Sequence, residues 1–130
     1  MGFGHRYYGR CEDNVITNYS SETFVDAFND FKREAYRISK DHGFHEGPKN
    51  FGEVIALMHS ELSEALESYR HGDPPSDHIP EFTGAEEEFA DVIIRIMDNA
   101  HHFNLRVAEA VIAKMAFNES RPYKHGGKKF

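Results

Sequence analysis

Two acidic motifs, Glu61-Leu-Ser-Glu64 and Glu88-Phe-Ala-Asp91, each set two carboxylates three residues apart in an apolar, helix-patterned stretch. On a helix, residues at i and i+3 lie one above the other on the same face. The two stretches, 54–69 and 89–103, are joined by a link containing Pro74, Pro75 and Pro80. Such a link cannot continue a helix, so two adjacent, antiparallel helices are expected. Their carboxylates would then share one seam. Unpaired, the four would repel one another and lose hydration. A hard divalent cation such as Mg²⁺, with Mn²⁺ as the alternative, removes that cost through oxygen ligands. A metal site for a phosphate-bearing substrate is the reading that follows.

The rest of the chain is patterned the same way. Phe24, Phe28, Phe31, Ala35 and Ile38 alternate four- and three-residue spacings, which predicts an amphipathic helix over 22–42, stopped at Gly43. Residues 45–49 hold Gly47 and Pro48 and form a loop. Asn50 with Glu53 resembles a capping box for a second helix, which runs to 69–71 and is closed by Gly72. Its apolar stripe is Ile55, Met58, Leu62, Ala65, Leu66 and Tyr69. Residues 73–82 are a loop. Thr83 and Glu86 make a regular capping box for a third helix with the core stripe Phe89, Val92, Ile93, Ile96 and Ala100. Asn104 is placed to cap a fourth helix carrying Ala108, Val111, Ile112 and Met115, ended by Pro122 and Gly126-Gly127. The expected fold is all-α: a four-helix bundle in one domain over 1–130, with an irregular arm at 1–20 and a basic tail at 121–130.

Composition narrows the function classes. With 130 residues, 39% hydrophobic and 13% aromatic, the chain can build one core without staples. The lone cysteine, Cys11, excludes an intrachain disulfide framework and fits a reducing compartment. No apolar run approaches a membrane span, and the first residues lack a signal-peptide stretch, so a cytoplasmic protein is expected. A net charge of −7 argues against binding a nucleic-acid polymer. The tail, with Arg121, Lys124, Lys128 and Lys129, is out of keeping with that acidic body.

On the second helix Leu57, Glu61, Glu64 and Ser68 form a stripe beside the apolar one; on the third, Glu88, Asp91, Arg95 and Asp98 do the same. The alternative is a solvated acidic face, which would make the chain a non-catalytic helical module binding a basic partner. Arg95 is positioned to neutralise the cluster, to touch a phosphate, or to pair with Asp91 or Asp98. Lys114, Asn118 and Arg121 recur at helical spacing and give one polar face toward the tail. The nine histidines form no HExxH and have no cysteine cluster, which argues against zinc. His42, His45, His101 and His102 are expected at helix ends or on the surface, and His59 packed or facing solvent. A ferritin-like di-iron bundle needs two Glu-x-x-His motifs, and no Glu here has His at the third position.

The ordered pair of motifs resembles the MazG-like members of the all-alpha nucleoside triphosphate pyrophosphohydrolase superfamily. The context is similar too: Ala56-Leu-Met-His-Ser-Glu-Leu-Ser-Glu-Ala-Leu-Glu, then Phe89-Ala-Asp-Val-Ile-Ile-Arg-Ile-Met-Asp, then the ending Asn118-Glu-Ser-Arg-Pro-Tyr-Lys-His-Gly-Gly-Lys-Lys-Phe. The resemblance covers roughly 51–130. It implies Mg²⁺-dependent cleavage of a nucleoside triphosphate between the α- and β-phosphates, giving a monophosphate and pyrophosphate. Glu61, Glu64, Glu88 and Asp91 would be catalytic and metal-binding residues. Substrate-binding candidates are Arg95, Lys114, Asn118, Arg121, Lys124 and Lys128. Relatives resemble dimers or tetramers whose neighbouring helices complete the active site, so a homo-oligomer is expected. Many relatives carry a further Glu just before the first motif, where this chain has His59-Ser60, so the number of metal ions stays open.

Overall fold

The structure is a computed structural model that describes residues 18–127 and 129. Four long helices account for most of it: α1 (Asn18–Asp41), α2 (Phe51–Arg70), α3 (Gly84–His102) and α4 (Val107–Glu119). A single turn, α5 (Lys124–Gly127), follows. The fold is all-α, as the periodicity predicts. Of the expected irregular arm, residues 1–17 lie outside the described residues, and Asn18 to Ser20 already belong to α1. Lys128 of the basic tail also lies outside them.

Local chemistry sets the helix ends. Asn50 Oδ1 accepts from the Glu53 N–H at 3.1 Å, which starts α2. At α3 both halves of the capping box form: Thr83 Oγ1 accepts from the Glu86 N–H, and the Glu86 carboxylate accepts from the Thr83 N–H at 2.7 Å. Gly43, Gly72 and Asn104 take φ of 86°, 86° and 54°. Each sits in the closure where the next residue's N–H reaches back five residues: Phe44 to Ser39 O at 3.1 Å, Asp73 to Ser68 O at 2.8 Å, Leu105 to Ala100 O at 2.8 Å. This corrects the role of Asn104. It ends α3 and does not cap α4, because asparagine tolerates left-handed φ better than other residues with a side chain. The residue before α4 is Arg106, with no side-chain cap bond.

Helix α3 lies between α1 and α2 and packs on both, whereas α4 leans chiefly on α1. Three contacts fix α2 and α3 as antiparallel. Lys49, just before α2, meets Asn99 near the end of α3; Glu61 meets Arg95; Ser68 lies against Gly84.

The buried apolar residues are small: Val54, Ala65, Ala100 and Ala108. Here the stripes need correction. Of the α2 stripe only Ala65 is buried, while Leu62, Leu66 and Tyr69 (73% exposed) are open to solvent. Of the α3 stripe only Ala100 is buried, and Phe89 (58% exposed) and Ile93 are uncovered. Phe24, Phe31 and Ile38 of α1 and Met115 of α4 are exposed as well. The periodicity correctly marks helices. It overstates the core because a single chain does not cover all the apolar faces it carries.

Candidate functional site

The site is built on the α2–α3 pair. Asp73, just past α2, accepts from the Ala85 N–H at 2.8 Å and from Ser68 Oγ at 3.2 Å. Those bonds hold its carboxyl below the usual aspartate range, the Ala85 N–H first among them. They also fix the start of α3 against the end of α2. Gly84 permits the close approach: a Cβ there would lie 2.2 Å from Ser68 Oγ. Ser76 Oγ donates to Glu87 at 2.5 Å and accepts from the N–H groups of His78 and Ile79, and His78 Nδ1 donates to the same carboxylate at 2.6 Å. The proline-rich loop is thereby pinned to the first turns of α3.

With the pair in register, Glu61, Glu88 and Asp91 converge. One carboxylate oxygen from each lies within 4.8 Å of the others. Glu61 is only 8% exposed, so this carboxylate faces the seam and not water. Glu64, the remaining member of the expected four, lies outside that trio but beside Glu61. Hydrogen bonding to Glu61, then burial, then the charges of Glu61 and Asp91 hold its carboxyl above the usual range.

The cluster is electrostatically tense. Burial, then hydrogen bonding to Glu61 and the charges of Glu64, Glu61 and Asp91, pushes Glu88 up to about 7. Asp91 is raised by burial and by the charges of Glu61 and Glu87. Glu61 goes the other way. Burial pushes it up, but bonds from Arg95, Glu64 and Glu88 outweigh this and leave it below the usual range. Arg95 gives both Nε, at 2.7 Å, and Nη2, at 2.6 Å, to the same oxygen, Oε1 of Glu61. Of the roles open to Arg95, its hydrogen bonds are those of a neutralising partner, directed at Glu61 and not at Asp91 or Asp98. One guanidinium cannot balance the full set of carboxylates, so an oxygen-liganded divalent cation fits the donor set.

The cluster opens into a cleft of about 770 Å³ between α1, the loop over 42–50, α2 and α3. Glu61, Asp91 and Arg95 line it at one end; Lys49, Asp98 and Asn99 line it at the other. Of that second group only Asp98 was marked by spacing. His45, expected at a helix end or on the surface, has a side chain only 3% exposed. Its Nε2 donates to Asp98 Oδ1 at 2.5 Å, and its ring packs at a tilt against Tyr36, 4.4 Å between centroids. His101 packs on the same tyrosine at 4.4 Å. The available signal was Asp98 itself, two turns after Asp91 on the acidic stripe. His59 faces solvent, in line with expectation.

The basic candidates are elsewhere. Lys114 Nζ lies 4.4 Å above the Phe117 ring, Arg121 lies 5.7 Å from it, and Lys124 Nζ lies 5.8 Å from the Tyr123 ring. Asn118 is exposed. None of these residues lines the cleft. Among the described residues no helix is long and apolar enough to cross a membrane. No protein-family model matches the chain, and no curated protein or solved structure was found to be similar to it.

Proposed function

We propose that the chain is a Mg²⁺-dependent nucleoside triphosphate pyrophosphohydrolase of MazG-like type, acting in the cytoplasm on an NTP or dNTP. The observation that carries this reading is the convergence of Glu61, Glu88 and Asp91 from two antiparallel helices beside a cleft that Glu61 and Asp91 line. The family resemblance of the two motifs supports the same conclusion. Glu61, Glu88 and Asp91 would hold the cation, with Glu64 beside them. When bound, Mg²⁺ would neutralise phosphate charge and lower the pKa of a coordinated water; Mn²⁺ would serve in its place.

The reaction adds water at the α-phosphorus, breaks the α–β phosphoanhydride bond and releases pyrophosphate and a monophosphate. The water's proton goes to a carboxylate of the cluster. Glu61, Glu64, Glu88 and Asp91 are the candidates, and the member that the cation leaves uncoordinated would accept it. Arg95 lines this end of the cleft and would meet an incoming phosphate with the part of its guanidinium not engaged by Glu61. The rival reading, an acidic face for a basic partner, needs the carboxylates on the surface, and the burial of Glu61 weighs against it.

We also propose a homo-oligomer, a dimer or a tetramer. Leu62, Leu66, Tyr69, Phe89 and Ile93 are each about half exposed or more. Covering a side chain of this size is worth roughly 1.5–3 kcal/mol, so the uncovered faces favour association. In that assembly the face of Lys114, Asn118 and Arg121, with Lys124 and Lys128, would supply charge to the triphosphate, from the same chain or a neighbour.

The test is pyrophosphate release from a panel of ribo- and deoxyribonucleoside triphosphates, with Mg²⁺ and with EDTA. Release that needs Mg²⁺ is expected. Absence of release across the panel would sink the assignment.

A further inference from the structure

The cleft is longer than a phosphate site requires. From Asp91 to Asp98 is seven residues of α3, about 10 Å along a helix. That is the scale of the distance from a nucleotide's phosphate to the far edge of its base. Apolar side chains from three elements wall the space between, Phe31 and Ile38 of α1, Leu57 of α2 and Ile94 of α3. Apolar walls suit the faces of a heterocycle.

The far end carries unused hydrogen-bonding capacity in a fixed arrangement. Asp98 Oδ1 is taken from behind by His45 Nε2 at 2.5 Å. Its other oxygen, Oδ2, has Lys49 Nζ at 3.7 Å, beyond hydrogen-bond reach. Lys49 uses one N–H on Asn99 Oδ1 at 3.1 Å, and Asn99 is itself anchored by donating to Arg95 O at 2.8 Å. An acceptor and a donor, ion-paired to each other and each held by one further hydrogen bond, therefore stand side by side at the cleft wall. The edge of every nucleobase offers the complement, a donor next to an acceptor. A phosphate is unsuited to this end because Asp98 would repel it. The acidic trio, with a cation, is the phosphate end.

We propose that Asp98 and Lys49 bind the base edge of the substrate, with His45 and Asn99 as the positioning residues behind them. The inference rests on the hydrolase reading, since it assigns the remainder of that same substrate. The rival role for these residues is a tether holding the 42–50 loop to α3.

Affinity for non-hydrolysable α,β-methylene nucleoside triphosphates and for inorganic tripolyphosphate, in Mg²⁺, separates the two. The wild-type chain should bind at least one of the nucleotides more tightly than tripolyphosphate, on the order of tenfold or more. Lys49→Met and Asp98→Asn should remove that advantage and leave tripolyphosphate binding little changed. Lys49→Met keeps the Asp98–His45 bond, so it decides the matter if Asp98→Asn does not fold. Equal weakening of both ligands, or no change in either, overturns the base site. Equal wild-type affinity for both overturns it too and spares the hydrolase reading. Wild-type binding of neither ligand overturns both.

Discussion

Asp73, Ser68 and Gly84 join α2 to α3 through short polar bonds and a side-chain-free approach, and the Ser76–His78–Glu87 set pins the intervening loop. At the other end of the chain α4 meets α1 with much less. Asn29 Nδ2 donates to Glu109 at a long 3.4 Å, and the buried Oδ1 of Asn29 has no hydrogen-bond partner. The contrast assigns work to each region. Carboxylates that must converge within a few ångströms need a stiff frame, because a misplacement of about 1 Å weakens such a site severely. A segment meant to meet a substrate or another subunit can stay loosely docked, with low local stability.

The contrast is broken most sharply at the cluster. Asp91→Ala should lower pyrophosphate release about a thousandfold, on the order of 4 kcal/mol of activation free energy, while the far-ultraviolet spectrum keeps its helical form. Near-normal release by this variant would move the chemistry away from the trio. Glu64→Ala should cost less, since Glu64 stands outside the closest group.

Gly84→Ala tests the stiff frame next. The new Cβ must displace Ser68 Oγ, which breaks the bond to Asp73 or pries the helices apart. A loss of roughly 1–3 kcal/mol in denaturant unfolding is expected. An unchanged midpoint would mean that the junction has slack.

The pH dependence of stability is subtler. Glu88 has a pKa of about 7 in place of its ordinary 4.5. Between those values the native chain holds a proton that the unfolded chain has lost. Its contribution to stability therefore falls as pH rises from about 4.5 to about 7 and levels off above that. Asp91 and Glu64, both raised, act with the same sign. Glu61, held low, acts below its ordinary value and outside this window. Melting curves in EDTA and in Mg²⁺ at pH 8 should differ in favour of Mg²⁺, because the cation takes over from the missing proton. Coincident curves would argue that no divalent cation belongs there.

The smallest effect belongs to the loose end. Removing residues 123–130 should raise the Michaelis constant severalfold, while the melting temperature stays within about 1–2 °C, since Tyr123, Lys124, Gly126, Gly127 and Lys129 are exposed. Unchanged kinetics would leave phosphate binding to the helices alone.

What could be read from sequence follows the same division. Asn50, Thr83, Gly43 and Gly72 act on their own backbone neighbours, so spacing and residue type were enough to find them. Glu61, Glu88 and Asp91 were legible because two local motifs sit on helices that a proline-rich link forces together. His45 was not, since its partner Asp98 lies 53 residues away and no local rule connects them. Asn104 misled because asparagine serves both ends of helices. The apolar stripes revealed helices but not what covers them, which depends on the neighbours a face acquires.

Arg95, with two nitrogens on one oxygen of Glu61, bears on the order of events in the life of the chain. Some small metal-binding domains cannot collapse until their ion arrives, so their biosynthesis is hostage to supply. Here a built-in guanidinium shares the load with protons on the raised carboxylates. On the hydrolase reading proposed above, the helices would therefore assemble without metal and take it up afterwards, and a cell short of Mg²⁺ would accumulate an intact, idle protein instead of an unfolded one.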